Sequence, residues 1–169
     1  MAIIDSQLVF AQSQSLIATA PATTNSTNIF DSTPGNASTA VVAGGNQNRQ
    51  WGVGEQLYLH ILCTTAIVQA STNGTLNISL VSSAATNLGT PTVHWLSQTF
   101  TDGVSANYDF TVVGARIDIP VPQFGTYLRY LGFQYSVATQ DTSAGAVTIW
   151  IDRAQSSPPP GFYASGLNW

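Results

Sequence analysis

Hydrophobic and polar residues alternate with a period of two along much of the chain. The pattern is clearest in residues 75–82, where Leu76, Ile78 and Leu80 alternate with Asn77 and Ser79. Such an alternation places apolar side chains on one face of a strand and polar side chains on the other. It predicts an all-β protein.

Turn-forming residues divide the chain into short segments of this kind. The predicted strands cover residues 7–18, 29–30, 55–63, 65–70, 75–82, 92–100, 107–113, 115–121, 127–137 and 146–152, and residues 19–28 are predicted as turns. Turns at a spacing of roughly 8–12 residues are typical of a β-sandwich or barrel. The predicted fold is a jelly-roll β-sandwich, in which two antiparallel sheets contain about eight strands.

Two segments carry particular predictions. In 55–63 both strand faces are mostly apolar, which favours a central or subunit-contacting strand. Asn73-Gly74 lies between the alternating runs 65–70 and 75–82 and predicts a β-hairpin.

Three late segments complete the predicted sheets. Segment 127–137 is predicted as the longest strand, with Leu131 and Phe133 facing one way. Pro120 and Pro122 favour an edge position for strand 115–121, because proline cannot donate to a sheet ladder. In 146–152, Trp150 is predicted to point outward.

Charged residues are scarce in this sequence. They make up 7% of the 169 residues, with four Lys+Arg against eight Asp+Glu and a formal net charge of −4. The four basic residues are all arginines, and one glutamate is present. A long surface helix lacks the residues for its polar face. So few cations argue against nucleic-acid binding and against a polybasic membrane patch. We expect partners held by shape, hydrogen bonds and apolar contacts.

Length and cysteine usage favour one domain without disulfides. We predict a jelly-roll domain over 1–154, with a long loop at 31–50, and a Pro/aromatic C-terminal arm over 155–169. The single cysteine, Cys63, excludes an intrachain disulfide. Residues 1–5 do not resemble a secretory signal peptide, and no apolar run is long enough to span a bilayer. We expect a soluble protein made in a cytoplasm.

Candidate catalytic or metal-binding residues are few. His60 and His94 are the two histidines, and their spacing matches no metal motif. No G-x-S-x-G elbow is present, and the setting of Cys63 is apolar. We therefore expect a structural role for these residues, no enzymatic activity, no metal and no cofactor.

Several segments together resemble a known family. They are Asp5–Gln14 with Ile17–Ala20 and Ser26–Asp31, the strand Leu76–Ser83, the run Tyr127–Tyr135 and the segment Gly145–Thr148. In order and composition they resemble the capsid cement (decoration) proteins of tailed bacteriophages, of the single jelly-roll type found on Bordetella-type podophages. Loop 31–50 and tail 156–169 depart from that pattern.

The resemblance implies a non-enzymatic virion protein on the outer surface of the capsid. Members of that family form homotrimers, bridge neighbouring major capsid proteins and stabilise the shell against DNA pressure. The expected partners are therefore the major capsid protein and further copies of this chain, with no nucleic acid and no membrane.

Contact residues are predicted from the aromatic and proline-rich segments. Buried aromatic side chains dominate interface energies, and prolines stiffen an extended arm. The predicted capsid or subunit contacts are Pro158, Pro159, Pro160, Phe162, Tyr163, Trp169, Arg49 and Trp51.

An alternative function stays open, namely a glycan- or host-receptor-binding β-sandwich module of a phage tail or fibre. Aromatic residues at outward strand positions could stack on sugars, although subunit contact or partial burial is the expected role for them. These residues are Tyr58, Trp95, Tyr130 and Trp150.

Overall fold

The computed structural model describes residues 9–31, 56–70, 74–101, 112–122 and 127–152, and these residues form ten strands. The strands are β1 (Val9–Ser15), β2 (Ala22–Asn25), β3 (Phe30–Asp31), β4 (Tyr58–Gln69), β5 (Thr75–Ser83), β6 (Thr92–Leu96), β7 (Phe100–Thr101), β8 (Arg116–Pro120), β9 (Tyr130–Ala138) and β10 (Thr142–Asp152). The described part of the chain contains no helix that could cross a membrane.

The strands form two antiparallel sheets. One sheet has the order β1-β10-β4-β8. The other has the order β2-β9-β5-β6, with β3 also paired to β9 and β7 to β5. Each edge of this second sheet is thus built from two short consecutive strands, so the sheet is four strands wide.

The strand pairs are nested in the sequence. Strand β1 pairs with β10, β2 and β3 with β9, β4 with β8, and β5 with β6 and β7. This is the topology of a long hairpin that is rolled into two packed sheets, which is a jelly roll. The predicted fold class is therefore confirmed.

The core lies between the two sheets. Alternate residues of the central strands face it, as the period of two requires. Phe10 of β1 contacts Phe133 of β9 edge to face, with 5.1 Å between the ring centroids. The fully buried core side chains include Leu59, Ile61, Leu76, Ile78, Leu80, Leu131, Phe133, Tyr135 and Ile149.

Several predicted boundaries are corrected by the structure. The predicted strands 55–63 and 65–70 form one strand, β4, whose twelve residues exceed the nine of β9. The segment 127–137, predicted as the longest strand, is therefore not the longest. Strand β2 lies inside residues 19–28, which are predicted as turns. The sequence pattern does not reveal this strand, because its polar sequence ATTN carries no apolar alternation. Strand β10 begins at Thr142, four residues before its predicted start.

The predicted hairpin at Asn73-Gly74 is wrong. Strands β4 and β5 belong to different sheets, so the chain crosses from one sheet to the other between them. An Asn-Gly signal reports the tendency of the backbone to turn, and it does not determine whether the flanking strands pair.

The predicted strand 92–100 is interrupted at Ser97. The Ser97 hydroxyl accepts the backbone N–H of Ile78 at 2.9 Å, and the Ser97 N–H donates to the Ile78 carbonyl at 2.8 Å. A side-chain oxygen thus replaces a ladder carbonyl, and the edge splits into β6 and β7. In the predicted strand 107–113, Val112 and Val113 lie in a turn, and residues 107–111 are outside the described residues.

The loop 84–91 folds over the outer face of the second sheet. Leu88 and Val81 are both buried, yet neither belongs to the core cluster between the sheets. Val81 lies opposite Gly132 on the neighbouring strand. A Cβ atom at Gly132 would lie 2.7 Å from Cδ1 of Leu88 and 3.2 Å from Oγ of Ser26. Leu88 therefore fills the space that the glycine leaves free.

We predict that Gly132→Ala destabilises the protein by about 1–3 kcal/mol, because the added methyl group overpacks this contact. Denaturant unfolding measures the change. In a Leu88→Ala background the same substitution is expected to have a much smaller effect, because the clashing side chain is gone. Equal losses in both backgrounds would contradict the packing account.

Candidate functional site

The predicted contact residues lie outside the described residues. This holds for Arg49, Trp51, Pro158, Pro159, Pro160, Phe162, Tyr163 and Trp169. Their role stays a prediction.

A polar cluster occupies the outer face of the first sheet. His60 of β4 lies opposite Asp118 of β8 on one side and opposite Trp150 of β10 on the other. The His60 ring stacks on Trp150 with 5.0 Å between centroids. Arg116 covers the same indole at 5.1 Å and contacts Asp118 Oδ1 through Nε at 2.6 Å. Arg116 and Asp118, two residues apart on β8, thus form an ion pair on the face of this strand.

The hydrogen bonding of this cluster fixes the tautomer of His60. Its Nδ1 lies 2.6 Å from Asp118 Oδ1 and 2.9 Å from an Arg116 guanidinium nitrogen. Nδ1 cannot donate to the carboxylate and accept from the guanidinium at once. A carboxylate only accepts, so the 2.6 Å contact requires a proton on Nδ1. The Arg116 nitrogen is then a close neighbour of the ring without a hydrogen bond to it.

This arrangement orients an imidazole, but it offers no open site. His60 and Trp150 are fully buried, and the described residues supply no partner for His60 Nε2 or Trp150 Nε1. The described residues also contain no group of three or more potential metal ligands. The side-chain contacts of this cluster connect β8, β4 and β10 on the outer face of the sheet.

A second polar network joins His94, Ser82 and the segment before β9. Ser82 Oγ lies 2.7 Å from His94 Nε2, and the Leu128 N–H donates to Ser82 Oγ at 2.9 Å. The His94 ring stacks on Tyr127 with 3.8 Å between centroids, and the Tyr127 hydroxyl donates to the Pro122 carbonyl at 2.7 Å. Burial lowers the pKa of His94 and raises the pKa of Tyr127 to about 12.

The distance between Ser82 Oγ and His94 Nε2 is that of a hydrogen-bonded nucleophile and its general base. The surroundings of these two residues, however, differ from those of a catalytic pair. Ser82 is fully buried, and its oxygen already accepts the Leu128 N–H besides its hydrogen bond with the imidazole. A nucleophile needs a substrate within reach. The network instead holds Tyr127 and Leu128 against the edge of the second sheet.

Charged groups of the described body are already engaged within the chain. Arg129 makes a two-pronged contact with Asp31 at 3.0 and 2.9 Å and lies over the Tyr130 ring. The Arg129 side chain is exposed. Its hydrogen bond to Asp31 raises the pKa of the guanidinium group. Asp141 accepts the N–H of Ala20 at 2.8 Å. Both described arginines therefore face an intrachain carboxylate.

The predicted sugar-stacking aromatics form no exposed platform. Trp150 points outward from the core, as predicted, but is fully buried. Trp95 packs against the core cluster, while Tyr58 and Tyr130 are half-buried. Partial burial, the expected role for this group, is thus found for three of the four residues.

Exposed apolar residues mark the surface more clearly, and the sequence analysis did not identify them. They are between 43% and 65% exposed. Val93 and Leu96 belong to the edge strand β6, whereas Ile17 follows β1, Val68 lies in β4, and Val112 and Val113 precede β8. The one sequence signal for them is adjacent apolar residues at predicted strand ends, such as Val112-Val113.

Comparison with known families gives a match that spans both sheets. Residues 10–151 match the family model described as Bbp16. The chain belongs to the Bbp16 family. The name of the Bbp16 family indicates a protein of a Bordetella phage, and the match makes this chain a member of a phage protein family. A search of curated proteins finds no match.

We predict that His94 makes the stability of this protein pH-dependent. Its folded-state pKa is lowered, so the unfolded chain, with a pKa of about 6.5, binds the proton more tightly. The stabilisation is complete above about pH 6.5 and is lost as the pH falls from there toward the folded-state pKa. The free energy of unfolding in urea, measured from about pH 7.5 to about pH 5, is expected to fall more for the wild type than for His94→Gln.

The glutamine amide in this variant can donate to or accept from the Ser82 hydroxyl, so it serves as a matched control for the loss of the titrating group. Equal slopes in the two proteins would show that His94 does not contribute to the pH dependence.

Proposed function

We propose that this protein is a capsid cement protein, which binds the outside of an icosahedral phage head as a homotrimer. In that position it bridges neighbouring major capsid proteins and stabilises the shell against the pressure of the packaged DNA. The observation that carries the proposal is the Bbp16 match over residues 10–151, which assigns the chain to a phage family.

The architecture supports this function. A cement protein must transmit load between the subunits it bridges, and a closely packed two-sheet body is suited to that task. The sheets end in short edge strands, of which β1 has seven residues and the others, β2, β3, β6, β7 and β8, have two to five. Each edge strand of the described body therefore offers only a short length to unintended partners.

The surface chemistry supports it as well. Residues 9–30, 56–70 and 74–100 contain no Asp, Glu, Lys or Arg. The described charged residues are Asp31, Arg116, Asp118, Arg129, Asp141 and Asp152. Such a surface binds through shape and apolar contacts, and many weak contacts on a repeating lattice add up through avidity.

Rebinding to phage heads that lack this protein tests the proposal. We expect saturable co-sedimentation of the purified protein at a copy number set by the capsid lattice, and a trimer by light scattering. Because the described surface carries few free charges, binding should change little between about 50 mM and about 500 mM NaCl. If the protein does not co-sediment with the heads, this result would contradict the proposal and favour the glycan-binding alternative. A sugar array is then the next experiment.

The contribution of the predicted C-terminal arm is tested with a chain that lacks residues 156–169. We expect this variant to rebind heads more weakly, or to lose its trimeric state, because Phe162, Tyr163 and Trp169 are its predicted anchors. A variant in which only these three aromatic residues are replaced by serine keeps the length of the arm as a control. Unchanged trimerisation and unchanged head binding in the deletion variant would show that the arm makes no contact.

A further inference from the structure

Strand β8 forms one edge of the first sheet, and its pairing with β4 is regular. Among the described strands β8 pairs with β4 alone, and their register runs without a shift from Arg116 to Pro120. The other sheet edges are interrupted. Strand β1 shows two register shifts against β10, and each edge of the second sheet is divided between two short strands. Strand β8 therefore offers the longest uninterrupted ladder among the edges of the described body.

Alternation along the ladder decides which backbone groups of β8 face away from β4. The Ala115 carbonyl accepts the N–H of Cys63, and the Val121 N–H donates to the Leu57 carbonyl. Backbone groups face the neighbouring strand at every second residue of an antiparallel pair. The odd-numbered residues of β8 therefore bond to β4. The even-numbered residues direct their backbone groups toward the open side of the edge, and they are Arg116, Asp118 and Pro120.

Hydrogen-bond geometry limits how a second copy of β8 can join this edge. Two copies related by a two-fold axis present the same strand to each other in opposite directions. A hydrogen-bonded pair needs one outward-facing residue from each copy. Three such registers bring a charged residue opposite a charged residue. They are Arg116 opposite Arg116, Asp118 opposite Asp118, and Arg116 opposite Asp118.

Charge selects one of these registers. Like charges directly opposite each other are destabilising, which disfavours the first two registers. The third places Arg116 of each copy opposite Asp118 of the other, so that two oppositely charged pairs form at once. Among the described residues, both contacts of the Asp118 carboxylate use Oδ1, which lies 2.6 Å from Arg116 Nε and 2.6 Å from His60 Nδ1. Oδ2 can therefore accept from the arginine of the second copy.

The apolar face of the strand fits the same register. The two-fold axis passes between the Ile117 residues of the two copies, and Ile119 of one copy lies opposite Ala115 of the other. All three residues are half-buried and pack against the core cluster. Pairing of the two edges covers apolar surface that these side chains expose to water in the single chain.

We propose that β8 is a self-complementary docking edge, through which two copies of this chain pair antiparallel with Arg116 opposite Asp118. The first sheets of the two copies then join edge to edge into one continuous sheet. The contact is short, and it gains strength where many copies are held close together on one surface. Because its symmetry is two-fold, it is separate from the three-fold assembly of the proposed function and does not rest on it.

Engineered cysteines test this pairing in a Cys63→Ala background, which removes the native thiol. Across the two-fold axis the Ile117 residues form a non-hydrogen-bonded pair, with about 4.5 Å between their Cα atoms. That separation lies within the range of a disulfide. Under mild oxidation Ile117→Cys is therefore expected to give a disulfide-linked dimer, which runs on a non-reducing gel at twice the chain mass of 17.8 kDa.

Ile119→Cys is the matched control, because it replaces an isoleucine on the same face of the same strand. In the proposed register its two copies lie about 13 Å apart along the paired strands, which exceeds the reach of a disulfide. This variant is expected to remain monomeric on the gel under the same conditions.

A mixture of Ala115→Cys and Ile119→Cys reports the register independently. Neither variant is expected to cross-link alone, whereas a mixed pair places the two cysteines opposite each other and is expected to link. Melting curves establish that each variant folds. If Ile117→Cys does not fold, this mixture tests the proposal without it.

Three results would overturn the docking edge. They are a lack of cross-linking both in Ile117→Cys and in the mixture, equal cross-linking of Ile117→Cys and Ile119→Cys, and linkage that requires these two variants to be mixed. The last result would show the register in which Asp118 faces Asp118. Head rebinding and the mass of the wild type by light scattering are measured separately, so a failure of the cement function is distinguished from a failure of this contact.

Discussion

The pairing of the last two strands with the centres of both sheets is the interaction on which the rest of the structure depends. Strand β10 separates β1 from β4, and β9 separates β2 and β3 from β5. The early strands are thus joined to the middle strands only through residues 130–152, among the described pairings. Each sheet is completed when its C-terminal strand enters between strands that lie far away in the sequence. Pairing between strands that are far apart in the sequence slows folding, because loop-closure entropy is lost before the contacts form.

The outer face of the first sheet also contains buried residues. His60 and Trp150 are buried there as fully as Ile61 and Ile149 are in the core, and their rings stack on each other. Asp118 contacts His60 Nδ1 and Arg116 covers the Trp150 ring, both from the edge strand β8. The two described arginines form ion pairs with Asp118 and Asp31 within the chain. Contacts with a partner are therefore expected to involve mainly uncharged groups of the surface. A surface of that kind suits attachment by shape to a repeating lattice.

Much of the fold could be predicted from the sequence, because a period of two directly reports which side chains share a strand face. Leu131, Phe133 and Ile149 face the core as their alternation indicates. The edge position of β8 follows equally from Pro120, whose nitrogen cannot donate to a neighbour.

The remaining features depend on information that is not local. Asn73-Gly74 predicts a turn but not the crossing between sheets, and the polar strand β2 is defined by its partner β9 and not by its own pattern. The exposure of Val93 and Leu96 follows from the edge position of β6, which alternation alone does not reveal. The predicted arm and loop contacts lie outside the described residues and stay predictions. For the candidate surface, the sequence therefore indicated an uncharged character, whereas the structure was needed to locate its exposed apolar residues.

The temperature at which phage heads release their DNA tests the proposed cement function most directly. Heads that lack this protein are compared with the same heads after rebinding, with a DNA-binding dye as the reporter of release. The account predicts that the rebound heads release DNA at a higher temperature, because each bound trimer links neighbouring capsid subunits. Saturable rebinding with an unchanged release temperature would contradict the claim that the protein stabilises the shell.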